Sequence, residues 1–123
     1  MITKFQIFEK INIGEPIPDD YVICGPMGRV NANKFPNIDA LNSYITTHIG
    51  RVANMYENNR ANKGCVIEYN FDTIPVELID DYFHLWRGSD HPNFYRTELD
   101  DIQYWSNNKE DLESILKGKQ FDL

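Results

Sequence analysis

The sequence contains only two cysteines, Cys24 and Cys65, in 123 residues. Neither belongs to a CxxC or a zinc-ligand spacing, which sets aside a disulfide framework, a dithiol redox centre and a cysteine-rich metal knuckle. Both lie in apolar, strand-like surroundings, so they are expected as buried reduced thiols. No stretch approaches the roughly eighteen consecutive apolar residues of a membrane-spanning helix. The segment MITKFQIFEKI lacks the basic-then-apolar order of a secretory leader, so a cytoplasmic protein with no membrane attachment is expected.

The usual catalytic signatures are missing too. There is no HExxH and no GxSxG, and Gly25-Pro26-Met27-Gly28 lacks the later glycine and the lysine of a phosphate-binding loop. Neither cysteine sits at an expected helix start, where a thiol becomes acidic enough to attack. His84, Asp90 and His91 are the only candidate metal ligands close together in sequence. They straddle an expected helix end and match no ligand spacing, so neither a metal nor a cofactor is expected. Ser89 lies between the two histidines, as a polar loop residue commonly does.

Basic side chains are also scarce, at 12 against 19 acidic ones, for a formal charge of −7. The imbalance is one-sided. Through residue 65 there are 6 acidic and 7 basic residues, and from residue 66 onward 13 and 5. A chain without a basic face cannot displace the counterions of a nucleic-acid polymer. An acidic surface instead accelerates encounter with basic proteins.

What is present indicates one α+β domain spanning residues 1–123. Residues 2–13 alternate apolar and polar and read as a half-buried strand. Tyr21–Cys24 is a short continuous apolar run, a second strand, and Gly28-Arg29-Val30 a third. Ile38, Leu41, Ile45, His48, Val52 and Met55 recur at steps of three and four, which predicts a long helix capped by Asn37 or Asp39, with His48 a half-buried structural residue. Asn58 to Gly64 reads as its exit loop.

Cys65, Ile67, Tyr69 and Phe71 share one face of a further strand, with Val66, Glu68, Asn70 and Asp72 on the solvent side. A helix starting at Pro75 and ending near Gly88 would carry Val76, Ile79, Phe83 and Trp86 on one stripe and Leu78, Tyr82 and Leu85 on another. An arc that wide suggests a helix contacted from two sides, and with it a homodimer. DDIQYW reads as a strand. Asn107 with Glu110 then starts a short last helix bearing Leu112, Ile115 and Leu116. The expected fold is a small mixed or antiparallel sheet of about four to five strands packed on one long and two shorter helices.

Function is sought between Asp72 and Asp101, where eight carboxylates face only Arg87 and Arg96. The leading expectation is a stoichiometric binding protein, not an enzyme, that neutralises a basic protein partner in the manner of immunity proteins, antitoxins or phage-encoded inhibitors. Asp80, Asp81, Asp100 and Asp101 would steer the partner, and Trp86, Asp90, His91 and Tyr95 would form the central contacts, since aromatic residues dominate interface energetics. An alternative is a nucleotide-binding protein using Trp86, Arg87, Asn93, Tyr95 and Arg96, because aromatic faces stack bases and arginines hold phosphate. A small enzyme built on paired carboxylates is a third.

Overall fold

The computed structural model describes residues 12, 14–27, 34–57 and 62–121. The expected strands at 2–13 and 28–30, and the hairpin joining the first of them to Tyr21–Cys24, lie outside these residues. The described chain is α+β. Five strands, β1 (Tyr21–Cys24), β2 (Gly50–Glu57), β3 (Lys63–Glu68), β4 (Phe94–Glu98) and β5 (Ile102–Ser106), form one sheet in the order β4-β3-β2-β1-β5. Every neighbouring pair is antiparallel. Three helices complete it: α1 (Ile38–Ile45), α2 (Val76–Tyr82) and α3 (Lys109–Phe121).

β1 is an unbroken apolar run because both of its faces are covered. Val22 and Cys24 point into the main core with Leu41, Tyr44 and Ile45 of α1 and Leu78 and Tyr82 of α2. Ile23 points the other way, against Leu112 of α3, flanked by Tyr21, Tyr104, Ile115 and Leu116. Val22, Ile23 and Cys24 are fully buried. Each such aliphatic burial contributes about 1.5–3 kcal/mol. Cys24 and Cys65 are free, buried thiols. Burial pushes them up to about 12 and about 11.

The long helix expected from Ile38 to Met55 is instead a short helix followed by a strand. Where helix α1 ends, three consecutive side chains reach back to its last carbonyls. Thr46 Oγ1 donates to Asn42 O at 2.6 Å and Thr47 Oγ1 to Ser43 O at 2.6 Å, while His48 Nδ1 lies 3.0 Å from Tyr44 O. His48 is half-buried, its ring stacked on Tyr44 at 4.1 Å. At the other end, Asn37 adopts the left-handed conformation, φ 57°, and makes no side-chain cap bond.

The spacing of Val52 and Met55, which imitates a helix, comes from a β-bulge. The register slips between Val52 and Asn54, so Val52 pairs with Ile67 and Met55 with Cys65. Two residues three apart thereby reach the same face of a strand. Gly50 is part of the same design. A β-carbon there would collide with Ile67 Cγ2 and lie 3.1 Å from the Tyr69 ring, so the glycine lets those side chains cross β2.

Three further expectations change. Lys63 and Gly64 belong to β3, not to a loop. Val66, expected on a solvent face, is 1% exposed, and Glu68 is half-buried and held by Arg51 Nε at 3.2 Å. Helix α2 ends at Tyr82, where Phe83 turns extended, φ −117° and ψ 147°. The Phe83 ring enters the core among Tyr44, Tyr69 and Tyr95, with centroids 5.8–6.0 Å away. The wide apolar arc therefore does not exist on one helix. Leu78 and Tyr82 are its buried face, while Val76 is 83% and Leu85 63% exposed.

The last helix, expected short, is the longest, at 13 residues. Its cap is Asn108 and not Asn107: Asn108 Oδ1 accepts from Glu110 N at 3.1 Å. Asp111 is buried at 1% exposure. One of its oxygens accepts from Ser106 Oγ at 2.9 Å and the other has no partner.

Three stability outcomes follow. Gly64→Ala places a β-carbon 2.7 Å from Thr97 O and on the Tyr56 ring; backbone cannot yield, so urea unfolding should show a loss of about 1–3 kcal/mol. Gly118→Ala, in open space on α3, should instead gain up to about 1 kcal/mol. Ser106→Ala should cost about 1–3 kcal/mol in the same assay, because it leaves the buried Asp111 carboxylate without its hydroxyl donor.

Candidate functional site

The segment Leu85–Asn93 projects from the start of β4 and is tied down at its base. His84 and Phe94 exchange backbone bonds of 2.8 and 3.2 Å. Tyr69 N donates to Asn93 O at 3.0 Å, and Asn93 Nδ2 donates back to Tyr69 O at 2.7 Å. Within the loop, Ser89 N donates to Trp86 O at 2.9 Å while Trp86 N donates to Ser89 Oγ at 2.9 Å. Between them Arg87 and Gly88 both have positive φ, 39° and 77°. Glycine accepts this freely, whereas Arg87 is held in a region few side chains adopt. The Ser89 hydroxyl thus closes a turn, and His91 stacks on Phe71 at 4.5 Å and 10°. A loop fixed at so many points loses little entropy on binding.

Arg87, Gly88, Asp90 and His91 are exposed at the tip, with Trp86 and Asn93 half-buried. Asp80 and Asp81 are exposed on α2, and Asp81 lines a hollow of about 320 Å³ with Tyr82, His84, Tyr95 and Arg96 along β4. Asp100 is exposed and Asp101 half-buried in the 3₁₀ turn Leu99–Asp101 that follows β4. The eight expected contact residues therefore string out along the β4 side of the sheet: loop before it, helix beside it, turn after it. Tyr95 is the exception. It is 5% exposed, in the core, with its hydroxyl pushed well up by burial, so contacts at this point fall to its neighbours.

The residues considered for a nucleotide are not gathered into one pocket. Tyr95 points into the core and Arg96 to the opposite face of β4, over the Tyr56 ring at 5.0 Å. Arg87 lies over Trp86 at 5.1 Å. Asn93 is committed to Tyr69, although it and His91 also border a larger hollow of about 490 Å³ with Arg51, Glu68, Phe71 and Lys109. The Arg51 there is already bound by Asp19 at 2.7 Å and Glu68 at 2.9 Å. Among the described residues no three His, Cys, Asp or Glu side chains converge as a metal site.

The carboxylates between Asp72 and Asp101 stand outside the ion pairs of the described residues. Among the described residues the ion pairs are Arg51–Asp19, Arg51–Glu68 and Lys63–Glu15. None involves Asp72, Glu77, Asp80, Asp81, Asp90, Glu98, Asp100 or Asp101. The two cations of that span, Arg87 and Arg96, lie on aromatic rings instead. Asp101 feels the consequence: desolvation first, then Glu98 and Asp100, raise its carboxyl above the ordinary value of 3.8. That the aromatic loop stands exposed while Tyr95 turns inward was invisible in composition; alternation along FYRTE, had it been recognised as a strand, would have separated Tyr95 from Arg96.

This is an α+β protein with an acidic flank and a pinned aromatic loop. No family model, curated protein or solved structure matches the chain, so its function is argued from this geometry.

A raised carboxyl lowers stability as it ionises: the folded state holds its proton longer than the unfolded state, so stability falls as pH rises from about the ordinary 3.8 through the raised value. Asp101→Asn should therefore raise the melting temperature at pH 7. The gain should vanish at a pH below the ordinary carboxylate value, as followed by thermal circular dichroism.

Proposed function

We propose that the protein is a stoichiometric binder of a basic protein partner, acting through the β4 side of its sheet. The observation that carries this reading is the set of eight carboxylates between Asp72 and Asp101, none in an ion pair among the described residues, with both intervening arginines engaged on aromatic rings. Unpaired carboxylates on α2, in the loop before β4 and in the turn after it create a directed field. That field speeds encounter and orients the partner before short-range contacts form.

Steering falls to Asp80, Asp81, Asp100 and Asp101. The pinned loop supplies the contacts that hold: Trp86 and His91 as aromatic surface, Asp90 as a charged tip between them. Occlusion of a basic functional surface on a nuclease-like or other nucleic-acid-handling effector is the natural use of such a combination. Neutralisation of this kind requires no turnover and no cofactor.

With the basic partner captured from the native host, stopped-flow association should slow at least about tenfold between about 50 and 500 mM salt as the Debye length contracts. Asp80→Lys with Asp81→Lys should slow association similarly at low salt while leaving thermal unfolding unchanged, since both side chains are exposed. A rate indifferent to salt contradicts the reading.

A further inference from the structure

Phe94 uses its outward-facing N–H and C=O on His84. Outward and inward pairs alternate along an antiparallel strand. In the β3–β4 register the next outward residues are Arg96 and Glu98, opposite Val66 and Gly64. The Glu98 carbonyl turns into the 3₁₀ turn that follows. That leaves the Arg96 N–H and C=O and the Glu98 N–H, none of them bonded by a described residue. The chain that covers Phe94 does not run on along this edge, because it lifts away into α2 at Tyr82. The hollow of about 320 Å³ opens where it leaves, lined by Met27, Phe35, Tyr82 and Tyr95 together with Lys34, Asp81 and Arg96.

We propose that the open half of β4, Arg96–Glu98, is a docking edge to which an extended, lysine- or arginine-bearing segment of the partner adds as a further strand. This rests on the acidic-surface reading above and names how the partner is held. Backbone groups supply affinity in strand addition, and side-chain pockets and charges select the sequence. Exposed charges on an edge strand discourage casual pairing, so Arg96 and Glu98 admit a complementary strand and deter a neutral one. Charge also decides against a second copy of this chain. Edge-to-edge self-pairing would bring the acidic turn that carries Asp100 and Asp101 towards a second copy, on chains of net charge −7. A basic strand meets the same carboxylates as partners, and an apolar side chain beside its lysines fits the hollow.

The test is amide hydrogen exchange on the full chain with synthetic nine-residue peptides: alternating Lys-Val, alternating Glu-Val, and Lys-Val N-methylated on every second residue in either phase. Lys-Val should slow exchange at the Arg96 and Glu98 amides at least about tenfold. Glu-Val should not, and one of the two methylated phases should lose the effect. Arg96→Pro removes an outward donor at an edge position that tolerates proline. It should weaken Lys-Val binding on the order of tenfold while the chain remains folded by circular dichroism; should that variant not fold, the wild-type exchange comparison decides alone. Salt-sensitive Lys-Val binding with no protection at these two amides overturns the docking edge and leaves the acidic-surface reading standing. Absence of any Lys-Val binding overturns both. Protection that appears without peptide and grows with protein concentration identifies a second copy as the occupant and overturns the proposal.

Discussion

The structure depends on β1 being buried on both faces. Val22 and Cys24 anchor the layer containing α1 and α2, and Ile23 anchors α3 on the other side. This one short strand therefore joins β5 and α3 to the rest of the sheet. Its pairing with β2 continues past the strand itself, through Asp19 N to Val52 O and Val52 N to Asp20 O, both 2.8 Å. Gly50, opposite Val22, keeps β2 narrow enough for Ile67 and Tyr69 to cross it. The aromatic core of Tyr44, Tyr69, Phe83 and Tyr95 is assembled over that crossing.

The proposed binding surface is a by-product of how that core is filled. Phe83 leaves α2 early to reach the aromatic cluster, and its exit forces His84 onto the β4 edge. The residues that follow must then loop back to Phe94, which lifts Trp86 to His91 clear of the sheet. Because the loop is anchored by Asn93, Ser89 and the stack of His91 on Phe71, it presents its side chains in a fixed arrangement. The same early exit leaves the Arg96–Glu98 edge without a backbone partner among the described residues. Core packing, the pinned loop and this edge thus have one origin.

Fold class, single-sheet architecture, the β1 and β5 segments, the buried thiols and the structural role of His48 were legible in the residues. Two elements were not, for definite reasons. In β2, the bulge at Ala53 turns a strand's alternation into steps of three, which coincides with helical spacing from Ile45 onward. In β4, flanking loop residues hide a strand of five residues whose alternation of Tyr95 and Thr97 with Arg96 and Glu98 is clear only once its bounds are known. Periodicity carries the helix after Pro75 past its true end at Tyr82 because Phe83 and Trp86 happen to continue its stripe. Periodicity cannot show that Phe83 is claimed by a tertiary contact. For the candidate site, the acidic span and the loop were visible as charge and composition. The inward turn of Tyr95 required the sheet register.

The central claim is that binding is confined to the β4 side of the sheet. The most direct measurement is carbodiimide labelling of carboxylates, quantified residue by residue by mass spectrometry, on the free protein and on its complex with the captured partner. Protection of Asp80, Asp81, Asp90 and Asp100, with Glu110 and Glu113 of α3 labelled equally in both states, is the predicted result. Protection centred on α3, with the β4-side carboxylates unchanged, would contradict the account.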